Sequence, residues 1–276
     1  MRQLGLLLLL ILLLLLLQLG QKLGTAYNYC YNPLHVCNKK GLKHFICEDH
    51  VPYLNKTKYV ATIPDTLRFR EFILSYYNKY RNLVAGGYLT TLQNKTFKPA
   101  SRMRELIWDL ELAYTARLHA ETVSFKHSAC RSVARFPYAG ECIGIVQSYK
   151  HRRSLADILD LTIRFMFESY MEVQDPDRLI TQFRIPEDMP LGQFTMLVSD
   201  RVSRVGCGFV VAKDCNLKDI PGFCYMMTCH YDFINLGNSY TYLTGEPASN
   251  CSDWNTFPSR SYTNLCHNTG EIFPYS

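Results

Sequence analysis

The apolar positions of this chain change rhythm about two thirds of the way along. Leu67, Phe69, Phe72, Ile73, Tyr76, Tyr77, Tyr80, Leu83 and Val84 recur at helical spacing. Ile63-Pro64-Asp65 supplies the start of this helix, with Asp65 as candidate N-cap, and Gly86-Gly87 stops it. Leu106, Ile107, Leu110, Ala113, Tyr114 and Leu118 predict a second helix over about 103–122. A third follows Ser154, whose Asp157 stands at the capping-box position, and carries Ile158, Leu159, Ile163, Met166 and Phe167. The later segments 194–198, 205–212, 223–231 and 240–243 are short and β-prone, and the turn-rich 214–222 predicts a hairpin. Helices first and strands later, without strict alternation, predict an α+β layered domain.

The ends read differently. Residues 6–17 are unbroken Leu and Ile, preceded by Arg2 and followed by Gly24-Thr25-Ala26. A charged start, an apolar run and a small-residue exit describe a secretory signal peptide over 1–26, and the run is shorter than the ~20 residues a membrane span needs. No second run of spanning length follows, so no transmembrane segment is expected after cleavage. All eleven cysteines lie downstream of the run. In an oxidising compartment they persist as disulfides, and an odd count leaves at least one over. Cys30, Cys37 and Cys47 fall in a segment with little helical periodicity, read as a cysteine-rich extension over 27–62. Residues 63–245 form the main domain, and 246–276 a turn-rich tail with Cys251 and Cys266.

A net charge of +6, reduced by two when Arg2 and Lys22 leave with the signal, contains no block of like charges. It gives no support to nucleic-acid binding. Asn55 and Asn94 begin glycosylation sequons in polar stretches. Cys215 and Cys224 flank the turn-rich segment and are expected to staple it.

Four motifs and the cysteine pattern then point to one family. Tyr77-Asn78-Lys79-Tyr80-Arg81-Asn82-Leu83-Val84-Ala85-Gly86-Gly87 resembles the first-helix motif H-N-x-x-R-N-x-V-A-G-G of the CAP superfamily (cysteine-rich secretory proteins, antigen 5, plant pathogenesis-related 1). Trp108-Asp109-Leu110-Glu111-Leu112-Ala113 is similar to its W-D-x-E-L-A helix. Arg204-Val205-Gly206-Cys207-Gly208 is similar to T-x-x-V-G-C-G, and Cys229-His230-Tyr231 with Asn235 to C-N-Y-x-x-x-N. The N-terminal and tail cysteines resemble the insect antigen 5-related branch. The resemblance implies a three-layer α-β-α sandwich and the pairs Cys30–Cys47, Cys37–Cys130, Cys207–Cys229 and Cys251–Cys266. With Cys215–Cys224, only Cys142 is left. A buried thiol is its preferred reading, ahead of an intermolecular disulfide. A catalytic thiolate is third, because no His lies at a motif-supported distance and Glu141 beside it would raise the thiol pKa.

The family cavity carries two His and two Glu and binds a divalent metal in some members. Its positions fall here on His127, Glu141, Glu168 and Gln193, so one imidazole is replaced by an amide. An amide is a weak zinc ligand, so metal binding by the protein is expected to be weak or absent, with no cofactor. The resemblance therefore implies a secreted, non-enzymatic protein that acts on an unidentified extracellular protein or receptor, in venom, saliva or reproductive secretions. A sterol or lipid carrier is the alternative. A His/Glu hydrolase built on His127 ranks below both, since no nucleophile motif accompanies it.

Overall fold

The computed structural model describes residues 27–33, 35–148, 154–216 and 222–273. The signal-peptide expectation over 1–26 lies outside these residues.

The described helices are α1 (Val36–Lys39), α2 (Leu67–Ala85), α3 (Leu110–Glu121), α4 (Leu155–Phe167), α5 (Pro176–Thr181) and α6 (Gly192–Val198). The strands are β1 (Lys58–Thr62), β2 (Ile107–Trp108), β3 (Gly140–Ser148), β4 (Arg204–Lys213) and β5 (Phe223–Tyr231). They form one sheet in the order β1-β4-β5-β3, antiparallel throughout, with β2 added parallel to the start of β4. β1 lies within the segment read as an extension, so the sheet reaches back into it.

Helix α3 covers one face of the sheet, and α2, α4 and α6 cover the other, giving the α-β-α sandwich. The close approach of α3 explains the two glycines of β4. A Cβ on Gly206 would stand 2.0 Å from the Ala113 nitrogen, and one on Gly208 2.2 Å from the Arg117 Cα. Two positions apart on a strand, both face the same way, and the helix backbone lies directly on them. The intervening Cys207 faces the other layer, bonded to Cys229.

The remaining motif residues also act as clamps. Asn78 of α2 is bonded both ways to the backbone of Leu106, at 2.7 and 3.0 Å. Arg81, fully buried, donates to the carbonyls of Arg104, Leu197, Ser199 and Val202. Burial pulls its guanidinium down to about 9, still charged at neutral pH. Asp109 caps α3 through Glu111 N and Leu112 N. Asn235 donates to the Gly192 carbonyl and Thr195 Oγ1 and so fixes the start of α6.

Several sequence expectations are corrected. Thr66, not Asp65, caps α2 by accepting from Phe69 N, while Asp65 pairs with Arg70 at 2.7 Å. Residues 103–108 are not helical, because Asn78 and Arg81 hold their backbone extended. Residues 194–198 form a helix rather than a strand, with Phe194, Leu197 and Val198 in the core. Residues 240–243 form no strand, and β1 and β3 were not foreseen. The capping box at Ser154 and Asp157 forms as expected.

All five disulfides form as paired above, and Cys142 is free and buried. Cys142 lies in register with Cys229, and burial pushes its thiol up. It is expected to resist iodoacetamide in the native protein and to be alkylated only in denaturant, as read by intact mass. Labelling of the folded protein, or a covalent dimer through Cys142, would contradict this packing. Asn55 and Asn94 are both exposed.

Candidate functional site

The polar centre of the molecule is built on a cross-strand pair. Glu141 of β3 stands directly opposite His230 of β5, which stands opposite Gly206 of β4. Because Gly206 has no side chain, α3 can lie close, and its Thr115 and His119 turn onto the pair from successive turns. Glu141 Oε2 lies 2.6 Å from His119 Nδ1 and 3.1 Å from His230 Nε2, and accepts from Ser128 Oγ at 3.0 Å. Oε1 lies 2.8 Å from His127 Nδ1 and accepts from Ser128 N at 3.0 Å. Arg131 Nε stands 3.5 Å from the same carboxylate. Burial alone would raise the Glu141 carboxyl, but hydrogen bonds from the three histidines and the Arg131 charge outweigh it and hold it well below the ordinary range. Burial pulls His230 down to about 4, against its bond to Glu141.

The N-terminal extension roofs this centre. Phe45, buried, packs its ring 5.3 Å from His119 and 5.7 Å from His230. Phe45 N donates to the Cys130 carbonyl, and His35 Nε2 lies 2.9 Å from the Ser132 carbonyl. Beside the roof, a cleft of about 350 Å³ is lined by Asp49, His50, His119, Phe125 and His127. His127 is the exposed member of the group, its side chain 56% accessible.

The four family positions do not assemble. His127 and Glu141 meet, but Glu168 is paired with Arg164 at 2.7 Å, four residues earlier on the helix. Gln193 makes no bond to either carboxylate; its Oε1 is buried without a partner and its carbonyl lies 4.0 Å from Cys142 Sγ. β3 explains the split, since Glu141 and Cys142 point to opposite faces of the sheet. These four residues therefore do not fit the metal implied by the resemblance. His119, Glu141 and His230 do offer ligand atoms within 4.8 Å of one another, all buried. Two imidazoles and a carboxylate are a donor set that suits Zn²⁺, and Thr115 Oγ1 at 2.8 Å orients His230 from its other nitrogen. The expectation of weak or absent metal binding rested on His127, Glu141, Glu168 and Gln193, and left His119 and His230 out of account. His119 and His230 were missed as site residues. The replacement of the motif Asn by His230 was the one signal available.

Acid sensitivity follows from the roof. His44, fully buried, stacks on Tyr29 at 4.6 Å and faces His35 at 5.4 Å. Burial, then the charges of His35 and His230, pull it down to about 3. The unfolded chain protonates His44 near its ordinary value of 6.5. Below that pH the unfolded state binds more protons, so stability falls with pH across the window from 6.5 towards 3 and is unaffected above it. His35 is lowered in the same direction by burial. Unfolding stability is expected to fall by about 1 kcal/mol per pH unit within that window from His44. His44→Phe should flatten that slope, and stability constant between pH 6.5 and 5 would contradict the assignment.

A disulfide-braced α-β-α sandwich with a closed histidine–carboxylate centre defines the class of molecule. Residues 74–231, more than half of the chain, match the Cysteine-rich secretory protein family, CAP. The chain belongs to that family. It is 29% identical over 253 residues to Venom allergen-1 of Aedes albopictus, covering 88% of this chain and 89% of that protein. It is 34% identical to CRISP/Allergen/PR-1 of Trittame loki over 74% of this chain and 49% of that one. Among solved structures, BmVAL-1 superposes with a TM-score of 0.59 at 22% identity, over 75% of this chain and 96% of that chain. NaASP2 with Zn²⁺ gives 0.56 at 22% identity, over 74% and 98%.

Proposed function

We propose that the protein is secreted and acts non-enzymatically, through contact with another extracellular protein. The observation that carries this reading is the state of Glu141. A general base needs a free lone pair aimed at a proton within reach of substrate. Both oxygens of Glu141 are already engaged by donors of the protein itself, and burial keeps Cys142 a protonated thiol. The centre is a strut that ties α3, β3, β5 and the 127–131 loop together. Five disulfides suit an oxidising compartment, and among the described residues no helix is long and apolar enough to cross a membrane. The kinship with insect venom allergens supports a role in venom, saliva or another secretion.

The test combines two measurements on the secreted chain. A panel of peptide, ester and glycoside substrates is expected to show no turnover above that of the His127→Ala protein. Labelled protein is expected to bind an extracellular protein saturably, with competition by unlabelled protein. Turnover that survives repurification and disappears in His127→Ala would overturn the reading.

One observation favours the carrier reading as second. A cleft of about 440 Å³ opens between the starts of α2 and α4, lined by Ile63, Phe69, Phe72, Leu155 and Leu159. Native mass spectrometry of secreted protein carrying an apolar ligand, lost in Phe72→Asp, would promote it.

A further inference from the structure

A third cavity, of about 240 Å³, lies at the end of the sheet where the segments before β2 and β4 meet the C-terminal tail. Three guanidiniums and one carboxylate line it: Arg104, Arg135, Arg201 and Asp232. Two of the four are fully committed. Arg135 grips Asp109 through two nitrogens, at 2.8 and 2.9 Å, and Glu111 at 2.9 Å. The Asp232 carboxylate accepts from Ser203 N, Ser203 Oγ and Arg204 N.

Arg104 and Arg201 are held by neutral acceptors alone: Arg104 Nη2 donates to the Arg201 carbonyl at 3.5 Å, and Arg201 Nη2 donates to Ser239 Oγ at 3.1 Å and to the Tyr240 carbonyl. They are 3% and 8% exposed, and among the described residues neither has a carboxylate at ion-pair distance. Asp200, the other acid in the neighbourhood, binds Arg102 through Oδ2 at 2.9 Å. The Nε of Arg104 and the Nε of Arg201 are both buried without a hydrogen-bond partner. Their planes are held by stacking: Arg104 lies 4.0 Å from the Trp254 ring and 5.3 Å from Phe273, and Arg201 4.4 Å from Tyr240 and 5.1 Å from Phe233. Burial pulls Arg104 down to about 10, so it stays charged at neutral pH.

Asp232 and Asp200 act on Arg104, and Asp200 on Arg201, only from beyond contact, so among the described residues two oriented, water-poor guanidiniums keep an unpaired Nε each, which an anion would complete. Planar forks of this kind match oxyanions through paired N–H donors. Four aromatic rings, Phe136, Tyr138, Phe233 and Phe273, line the same space. The volume is below that of a drug-sized pocket, which fits one ring and its acidic group and excludes a lipid chain.

We propose that this cavity binds a small aromatic anion, an aryl sulfate or aryl carboxylate, with its oxyanion on Arg104 and Arg201 and its ring among Tyr138 and Phe233. The site is separate from the histidine–glutamate centre and does not depend on its role.

Phenyl sulfate and benzoate serve as probes, with phenol as the neutral counterpart and inorganic sulfate as the ringless one. Calorimetry and ligand-detected NMR on the full mature chain are expected to show saturable phenyl sulfate or benzoate binding. Phenol, which lacks the oxyanion, and inorganic sulfate, which lacks the ring, should each bind at least about tenfold weaker. Arg201→Gln should weaken binding by a similar factor. Tyr138→Ala, at a rim position 41% exposed, leaves the buried arginines in place and should weaken the aryl probes without changing inorganic sulfate. No saturable binding of either aryl probe at millimolar concentration would overturn the proposal. So would equal affinity for inorganic sulfate, or affinity unchanged in both folded variants.

Discussion

Glu141→Ala is expected to destabilise the protein by about 3–5 kcal/mol, the cost of removing one partner from a buried charged network. The loss is large because the carboxylate is the shared acceptor for His119, His127, His230 and both donors of Ser128. Its removal leaves two of those imidazoles, on α3 and β5, with buried nitrogens facing a void. Glu141→Gln keeps the volume but turns an amide N–H towards some of these donors, so an intermediate loss is expected. Glu168→Ala supplies the contrast. Its partner Arg164 is 51% exposed and Glu168 itself 30%, so the change should cost no more than about 1 kcal/mol. Urea unfolding followed by circular dichroism measures all three. Equal losses at positions 141 and 168 would mean that the four family positions act together after all. A loss below about 1 kcal/mol for Glu141→Ala would mean that the centre is not the strut described here.

That centre shows where reading a sequence stops. α4 was legible because its cap, its acidic third position and its apolar stripe all agree. β4 and β5 were legible because β-branched and aromatic residues such as Phe209, Val210, Val211, Phe223 and Tyr225 recur in them, with turn residues between. The segment before α3 was misread because its apolar residues continue the helical spacing, whereas its conformation is dictated from outside, by the side chains of Asn78 and Arg81. α6 was misread for a related reason. Its residues are individually β-prone, but Asn235 fixes its first turn and the core buries its far side. The motifs carried the fold and the disulfide pairing. They did not carry the centre, because His119 and His230 meet Glu141 only through the register of β3 with β5 and the approach of α3 to Gly206. Spacing along the chain encodes neither. The family correspondence placed Glu141 beside Gln193, and the alternation of β3 placed them on different faces.

The largest disulfide effect is expected at Cys37–Cys130, which spans a sequence separation of 93. In the chain-entropy account, closing such a loop stabilises by about 4–5 kcal/mol, against about 2.5–3 for Cys215–Cys224 with its separation of 9. The structure adds a reason for the ranking to hold in practice. The long bridge fixes the roof over the centre, beside the bond from Phe45 N to the Cys130 carbonyl and the contact of His35 with the Ser132 carbonyl. In Cys37→Ala/Cys130→Ala the extension keeps Cys30–Cys47 but loses its covalent anchor to the domain, so water gains access to His119 and His230. Two readouts follow. Urea unfolding should show a loss for this pair well above that of Cys215→Ala/Cys224→Ala. Hydrogen exchange in the native state should accelerate at Phe45 and along α3 near His119, while β4 and β5 stay protected. Cys215→Ala/Cys224→Ala should leave the exchange around His119 unchanged, because that bridge braces the far end of the β4–β5 hairpin. Equal stability losses for the two bridges, or unchanged exchange at Phe45, would show that aromatic packing alone holds the roof.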